Sequence, residues 1–119
     1  MKQATIYHNP RCSTSRKALE LLRERGLEPE VVLYLQTPPN AAQLKQIAAA
    51  TGAPLRALLR TKQAEYKEQG LDNPDLSDDE IADAMVATPV LIERPIVVTD
   101  KGARLGRPVE KILEVNGEI

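Results

Sequence analysis

Aromatic side chains are scarce in this 119-residue chain. It contains no Phe and no Trp, and its aromatic residues are three Tyr. A core built without large rings has to consist of aliphatic side chains. The length is sufficient for one compact domain with such a core.

The chain also lacks a strong net charge and a long apolar run. Its 16 basic and 17 acidic residues give a net charge of -1, so no general basic field indicates nucleic-acid or anionic-membrane binding. No stretch reaches the roughly 18 apolar residues of a membrane span, and the start of the chain lacks the apolar segment of a signal peptide. We therefore expect a cytoplasmic protein with no nucleic-acid or membrane partner.

Cysteine occurs once, at Cys12. A single thiol cannot form an intramolecular disulfide, and it persists best in a reducing compartment. Position 15 is Ser15, so the CxxC motif of dithiol oxidoreductases is absent. Position 18 is Ala18, where a tyrosine-phosphatase loop would have arginine. Any redox cycle must therefore take its second thiol from another molecule, and we expect neither a metal nor a bound cofactor.

The first 35 residues predict a strand, a helix and a second strand. Ala4–Tyr7 is typical of a short strand. Ser13 or Thr14 is expected to cap a helix that stops near Gly26, and residues 31–34 follow as a strand. Two strands joined by a helix form a βαβ unit with parallel strands.

The remainder predicts a helical middle and two late strands. Helices are expected from Asn40 to Gly52, from Pro54 to Arg60 and from Ser77 to just before Pro89. Residues 96–99 and 103–105 predict a hairpin, and Pro108 opens a last helix. The order βαβ, helical insertion at about 40–88, ββα predicts one thioredoxin-like α/β domain over residues 1–119 with a mixed sheet.

Cys12 lies between the first predicted strand and the helix that follows it. Ligands of such βα units bind at the carboxyl ends of the strands. A helix N-terminus favours thiolate over thiol and also binds anions. Hydroxyls of Ser13, Thr14 and Ser15 can donate hydrogen bonds there, and a protonated His8 would add positive charge. The sequence therefore predicts a reactive thiolate rather than an inert residue in a turn.

Three arginines are candidates for binding a tetrahedral oxyanion. Arg60 ends the predicted second helix of the middle segment, Arg94 precedes Pro95, and Arg107 precedes a proline. Guanidinium groups offer permanently charged, bidentate donors. Their neighbours are mostly apolar or proline residues, although Glu93 is an alternative partner for Arg94. A solvated surface side chain is the alternative for each arginine.

Five segments together resemble the glutaredoxin-dependent arsenate reductases, the ArsC-type branch of the thioredoxin fold, and are close to its chromosomal homologues. They are residues 7–16 (YHNPRCSTSR), 32–35 (VLYL), 55–60 (LRALLR), 94–99 (RPIVVT) and 106–108 (GRP). The resemblance runs from about residue 3 to 114 without visible gaps. Any one segment is a weak signal, but five in order are specific.

The resemblance implies a reaction. The residue matching Cys12 attacks arsenate as a thiolate, and residues matching Arg60, Arg94 and Arg107 hold the oxyanion and its intermediates. Glutathione then acts as co-substrate and completes a cysteine-arsenic-glutathione adduct. Glutaredoxin supplies the reducing equivalents, and arsenite leaves.

The resemblance also implies three supporting residues. Those matching His8 and Ser15 help to keep the sulfur ionised. The residue matching Pro95 is a cis-proline opposite the nucleophile, whereas an arbitrary X-Pro bond is cis in only about 5–6% of cases.

Two other functions stay open from the residues alone. CxxS with a lone reactive cysteine also fits a glutathione-dependent thiol transferase, or a reductase of another substrate. The third reading is a non-enzymatic regulator, like the thioredoxin-fold proteins that bind RNA polymerase. The three arginines and CxxS argue against the regulator.

Overall fold

The computed structural model describes residues 4–115. The strands are β1 (Ala4–Tyr7), β2 (Glu30–Val32), β3 (Ile96–Thr99) and β4 (Gly102–Leu105). The α-helices are α1 (Ser13–Glu24), α2 (Ala41–Thr51), α3 (Ala64–Glu68) and α4 (Asp78–Ala87). Short 3₁₀ helices lie at Leu55–Leu58, Pro89–Leu91 and Val109–Val115.

The four strands form one mixed sheet in the order β2-β1-β3-β4. β1 pairs in parallel with β2, whereas β1–β3 and β3–β4 are antiparallel. This arrangement confirms the thioredoxin-like α/β fold with a mixed sheet. Tyr7 pairs with Ile96, and Ile96 pairs with Leu105. The residues after β1, before β3 and after β4 therefore meet at one edge of the sheet.

The core beside this sheet is aliphatic, as the composition predicts. Helix α1 buries Ala18 and Leu22 on the side that faces the sheet and the last 3₁₀ helix. The other buried members of this cluster are Ala4, Ile6, Leu27, Val97, Ile112 and Val115. Complete burial of a Leu or Ile side chain contributes about 1.5–3 kcal/mol, so this packing holds the start of α1 firmly against the sheet edge.

A glycine allows the segments beside Cys12 to lie close together. The Gly106 N–H donates a hydrogen bond of 2.8 Å to the Pro95 carbonyl. A Cβ at Gly106 would lie 2.8 Å from Cγ of Pro95 and 3.2 Å from Cγ2 of Ile112. No other residue fits there without moving the Pro95 ring. The Arg94–Pro95 bond is cis, as the resemblance implies, and so is the Arg107–Pro108 bond, which was not predicted.

The described chain divides into two compact units. Residues 4–37 and 94–115 form the unit that contains the sheet, and residues 38–93 form a helical unit. In the helical unit α2 and α4 pack together and bury Leu44, Ile47, Ile81 and Met85. The expected helix starts at Asn40 and Ser77 are confirmed, and each of these residues forms a capping box with the residue three positions later. The prediction of a single domain with an insertion at about 40–88 stays a prediction.

Two predicted element ends are wrong. β2 stops at Val32, because the N–H groups of Gln36 and Thr37 both bond to the Leu33 carbonyl and turn the chain. The helix after Pro54 stops at Leu58, two residues before Arg60, because Leu59 is extended and bridges to Ile92. The short helices at Ala64–Glu68 and Pro89–Leu91 were not predicted, since each is too short for a helical period to be visible.

Candidate active site

Cys12 is the N-cap residue of α1. Its backbone is extended, with φ -94° and ψ 122°, and its carbonyl accepts the Arg16 N–H at 3.0 Å. The prediction that Ser13 or Thr14 caps this helix is wrong, because Ser13 is already its first helical residue. The thiol therefore stands where capping side chains normally stand, facing the free N–H groups of the first turn.

The turn before Cys12 is shaped by Asn9. The Cys12 N–H donates to the Asn9 carbonyl at 3.0 Å, and the Arg11 N–H donates to Oδ1 of Asn9 at the same distance. This residue was not predicted to matter. Its signal in the sequence was the Asn-Pro turn pair, which indicates an Asx turn as well as the end of a strand.

The surroundings of Cys12 favour the thiolate. Burial raises the pKa of the Cys12 thiol. Four groups lower this pKa: the backbone N–H of Ser15, the charge of Arg94, the backbone N–H of Thr14 and the charge of Arg107. The net result is a pKa below that of an ordinary thiol. The thiol makes no hydrogen bond with standard capping geometry. The backbone N–H groups of Ser15 and Thr14 nevertheless lie close enough to the sulfur to favour its charged form.

His8 and Ser15 form a buried pair directly behind the nucleophile. Oγ of Ser15 lies 2.8 Å from Nδ1 of His8 and accepts the Asn9 N–H at 3.1 Å. Ser15 is completely buried and His8 is 5% exposed. Ser15 thus connects α1 to the end of β1 and fixes the turn that carries Cys12.

His8 does not supply the positive charge that the sequence suggested. Burial lowers the pKa of His8, and the charges of Arg16 and Arg23 lower it further. The ring is therefore neutral at pH 7, since even an unperturbed histidine has a pKa near 6.5. With Nε2 protonated, Nδ1 accepts the Ser15 hydroxyl. The role left to His8 is positional.

Arg107 contacts the nucleophile. Its Nη2 lies 3.6 Å from Sγ of Cys12, and its Nε donates to the Arg94 carbonyl at 2.8 Å. Arg94 lowers the Cys12 pKa by its charge. The structure thus brings Cys12, Arg94 and Arg107 together from three separate parts of the chain.

Arg60 lies in the helical unit. Its N–H donates to the Leu91 carbonyl at 2.8 Å, and its carbonyl accepts the Gln63 N–H at 3.0 Å. These bonds fix its backbone at the end of the bridge between Leu59 and Ile92. A role of Arg60 in binding an oxyanion stays a prediction.

Neither a metal site nor a membrane-spanning helix is found in the described part of the chain. Over residues 4–115, no group of three or more His, Cys, Asp and Glu is arranged to hold a metal ion. None of the helices in that range has the length and apolar character needed to cross a bilayer.

The altered pKa predicts fast alkylation of Cys12. The rate of reaction with iodoacetamide should follow a titration whose midpoint lies below the thiol value of about 8.5, because only the thiolate reacts. The same chain unfolded in denaturant is the control, since it carries the same single thiol without the folded surroundings. Equal midpoints for the folded and unfolded chains would contradict thiolate stabilisation by this site.

Comparison with known proteins gives consistent matches. The model of the ArsC family matches residues 7–115. The uncharacterized protein YfgD of Escherichia coli K12 is 52% identical, with 98% of each chain covered. An arsenate reductase of Escherichia coli is 48% identical over 97% of this chain and 82% of its own.

A solved structure shows the same fold. The arsenate reductase from Vibrio cholerae has a TM-score of 0.92 and 46% identity, with 96% of this chain and 98% of the other covered. The likeness therefore extends over nearly the whole of both chains.

Proposed function

Since the chain belongs to the ArsC family, we propose that it reduces arsenate to arsenite, with Cys12 as nucleophile, glutathione as co-substrate and glutaredoxin as reductant. The observation that carries the proposal is the contact of Arg107 with a sulfur whose pKa is lowered at the start of α1. The matched arsenate reductase at 48% identity supports arsenate as the substrate.

The first step is formation of a sulfur-arsenic bond. The Cys12 thiolate attacks As(V), and one arsenic-bound hydroxyl leaves as water after it takes a proton. Arg107 and Arg94 both act on the sulfur, so the same charges would stabilise the negative oxygens of arsenate beside it. Arg60 is proposed as a third oxyanion ligand by resemblance to the family.

The second step brings in glutathione. Its thiol replaces another arsenic-bound hydroxyl, a second water leaves, and arsenic is bonded to both sulfurs. A glutaredoxin thiolate then attacks the glutathione sulfur, and a mixed disulfide of glutaredoxin and glutathione forms. The electron pair of the broken bond stays on arsenic, which becomes As(III). Water releases arsenite and returns Cys12 as a thiolate.

In this proposal the supporting residues hold the nucleophile in position. The His8–Ser15 pair holds the turn, so that the backbone N–H of Ser15 faces Sγ of Cys12. Ser15 also stands where dithiol enzymes have their second cysteine, which is why the other thiols come from partners. A thiolate that works with glutathione and glutaredoxin requires a reducing compartment, and we propose the cytoplasm.

A coupled assay tests the activity. With arsenate, glutathione, glutaredoxin, glutathione reductase and NADPH, the protein should accelerate NADPH oxidation well above the protein-free control. No acceleration at any arsenate concentration would refute arsenate reduction.

The same coupled assay, with a glutathione mixed disulfide in place of arsenate, distinguishes arsenate reduction from the main alternative function. CxxS with a low-pKa thiol also suits a glutathione-dependent thiol transferase. Turnover of a glutathione mixed disulfide in the absence of any response to arsenate would select that function. A protein inactive in both assays that co-purifies with a large partner would favour the regulator.

A further inference from the structure

A small cavity lies beside Cys12, between α1 and the segment that follows β4. Its lining residues are Thr14, Lys17, Arg107, Pro108, Val109 and Glu110. Two of them reach the nucleophile, because Arg107 contacts Sγ at 3.6 Å and the Thr14 N–H lowers the Cys12 pKa. The cavity therefore adjoins the reacting sulfur.

Size and charge restrict what this cavity can hold. Its volume is about 280 Å³, near the lower limit of about 300 Å³ for small-molecule sites. It can accommodate one end of a tripeptide rather than the whole molecule. Lys17 and Glu110 are both exposed and line the cavity from two different elements, α1 and the last 3₁₀ helix. They provide one positive and one negative group.

We propose that this cavity binds the γ-glutamyl end of glutathione, an inference that rests on the glutathione-dependent function proposed above. That end carries a carboxylate and an ammonium group on the same carbon. Lys17 matches the carboxylate and Glu110 matches the ammonium. Arg107 stands between the cavity and Cys12, so the cysteine of the bound tripeptide points toward the reacting sulfur.

A second cavity is larger but less suitably placed. It has a volume of about 550 Å³ and is lined by residues that include His8, Arg16, Glu20 and Arg23. Its link to the site is His8, whose Nδ1 faces Ser15. The guanidinium that contacts the sulfur belongs to the smaller cavity. Arg23 therefore provides a control: it is a cation on the same helix, in the rival cavity.

Thiol-disulfide exchange tests the cavity without arsenate. The Cys12 thiolate attacks one sulfur of glutathione disulfide, the S–S bond breaks, and a Cys12-glutathione disulfide forms. Glutathione thiolate leaves, so atoms and electrons balance. Bis(2-hydroxyethyl) disulfide reacts in the same way but carries no charge. The ratio of the two rates reports docking of the charged tripeptide separately from thiolate reactivity.

The two charges should act in the same direction. Lys17→Gln and Glu110→Gln should each lower the rate with glutathione disulfide about threefold and leave the neutral disulfide unaffected, as expected for one exposed ion pair. Arg23→Gln should change neither rate by more than the error. The Glu110 result is the most discriminating, because glutathione disulfide is an anion and simple repulsion predicts a faster reaction after this change.

Three outcomes would overturn the proposal. They are a faster reaction of the Glu110→Gln variant with glutathione disulfide, an Arg23→Gln effect as large as that of Lys17→Gln, and rate ratios that no substitution changes. Failure of the arsenate assay with the expected ratios intact would remove arsenate as substrate and leave the glutathione cavity. Arsenate turnover with rate ratios that no substitution changes would support arsenate as substrate and exclude this cavity as the glutathione site.

Discussion

Replacing Cys12 by serine is expected to reduce arsenate turnover to the level of the protein-free control, a loss of at least about 10⁴-fold. A hydroxyl at this position is not ionised near neutral pH, so the sulfur-arsenic bond on which both thiol partners act cannot form. The measurement is the coupled assay with arsenate, glutathione and glutaredoxin.

The stability of this variant provides the control. Serine is a favourable N-cap residue, whereas the Cys12 side chain makes no hydrogen bond with capping geometry. Serine gains a capping hydrogen bond but loses the stabilising charge of the thiolate, so the Cys12→Ser protein should melt close to the parent. Retained turnover would exclude Cys12 as nucleophile, and a large fall in melting temperature would show that the loss came from unfolding.

Substitutions of Arg107 should give the second largest effect on arsenate turnover. The effect should be larger for Arg107→Gln than for Arg107→Lys. Arg107→Gln removes the charge beside Sγ, so the pKa of Cys12 should rise and kcat/KM for arsenate should fall about 100-fold, as when one oxyanion donor is lost. Arg107→Lys keeps the charge but loses the planar fork whose Nε and Nη2 contact the Arg94 carbonyl and Sγ. Its thiol titration should stay close to that of the parent, with kcat/KM reduced about tenfold.

Arg104 offers the matched control for Arg107. It lies on β4, three residues before Arg107, and its Nε pairs with Glu114 at 2.7 Å at the surface. Arg104→Gln makes the same change of charge and should cost no more than about 1 kcal/mol of stability, without altering the thiol titration. An Arg107→Gln protein that behaved like Arg104→Gln in both assays would show that Arg107 is structural.

The sheet and the position of the nucleophile could be predicted because their signals are local. Short runs such as Ala4–Tyr7 have the strand pattern, and the turn with Cys12 follows directly. The helix starts at Asn40 and Ser77 also depend on residues only three positions apart. Such patterns depend on nearby residues and survive in any tertiary context.

What could not be predicted depends on distant partners. The extended backbone at Leu59, which ends the helix before Arg60, follows from a bridge to Ile92. The neutral state of His8 follows from burial and from charges on α1. The contact of Arg107 with Cys12 joins residues 95 positions apart, and it was expected only through the family resemblance. Composition near each residue carries no information on these pairings.

The position of Cys12 at the start of α1 links reactivity to folding. A thiol whose pKa is lower in the folded chain than in the unfolded chain stabilises the fold at pH values above the unfolded pKa, and this contribution disappears as the pH falls through the folded pKa. In its charged form, the sulfur stabilises the N-terminus of α1 by its negative charge, although it makes no capping hydrogen bond. The ionised thiol is at once the form that can attack and the form that the fold prefers, so any adduct that neutralises the sulfur also weakens the helix on which it stands.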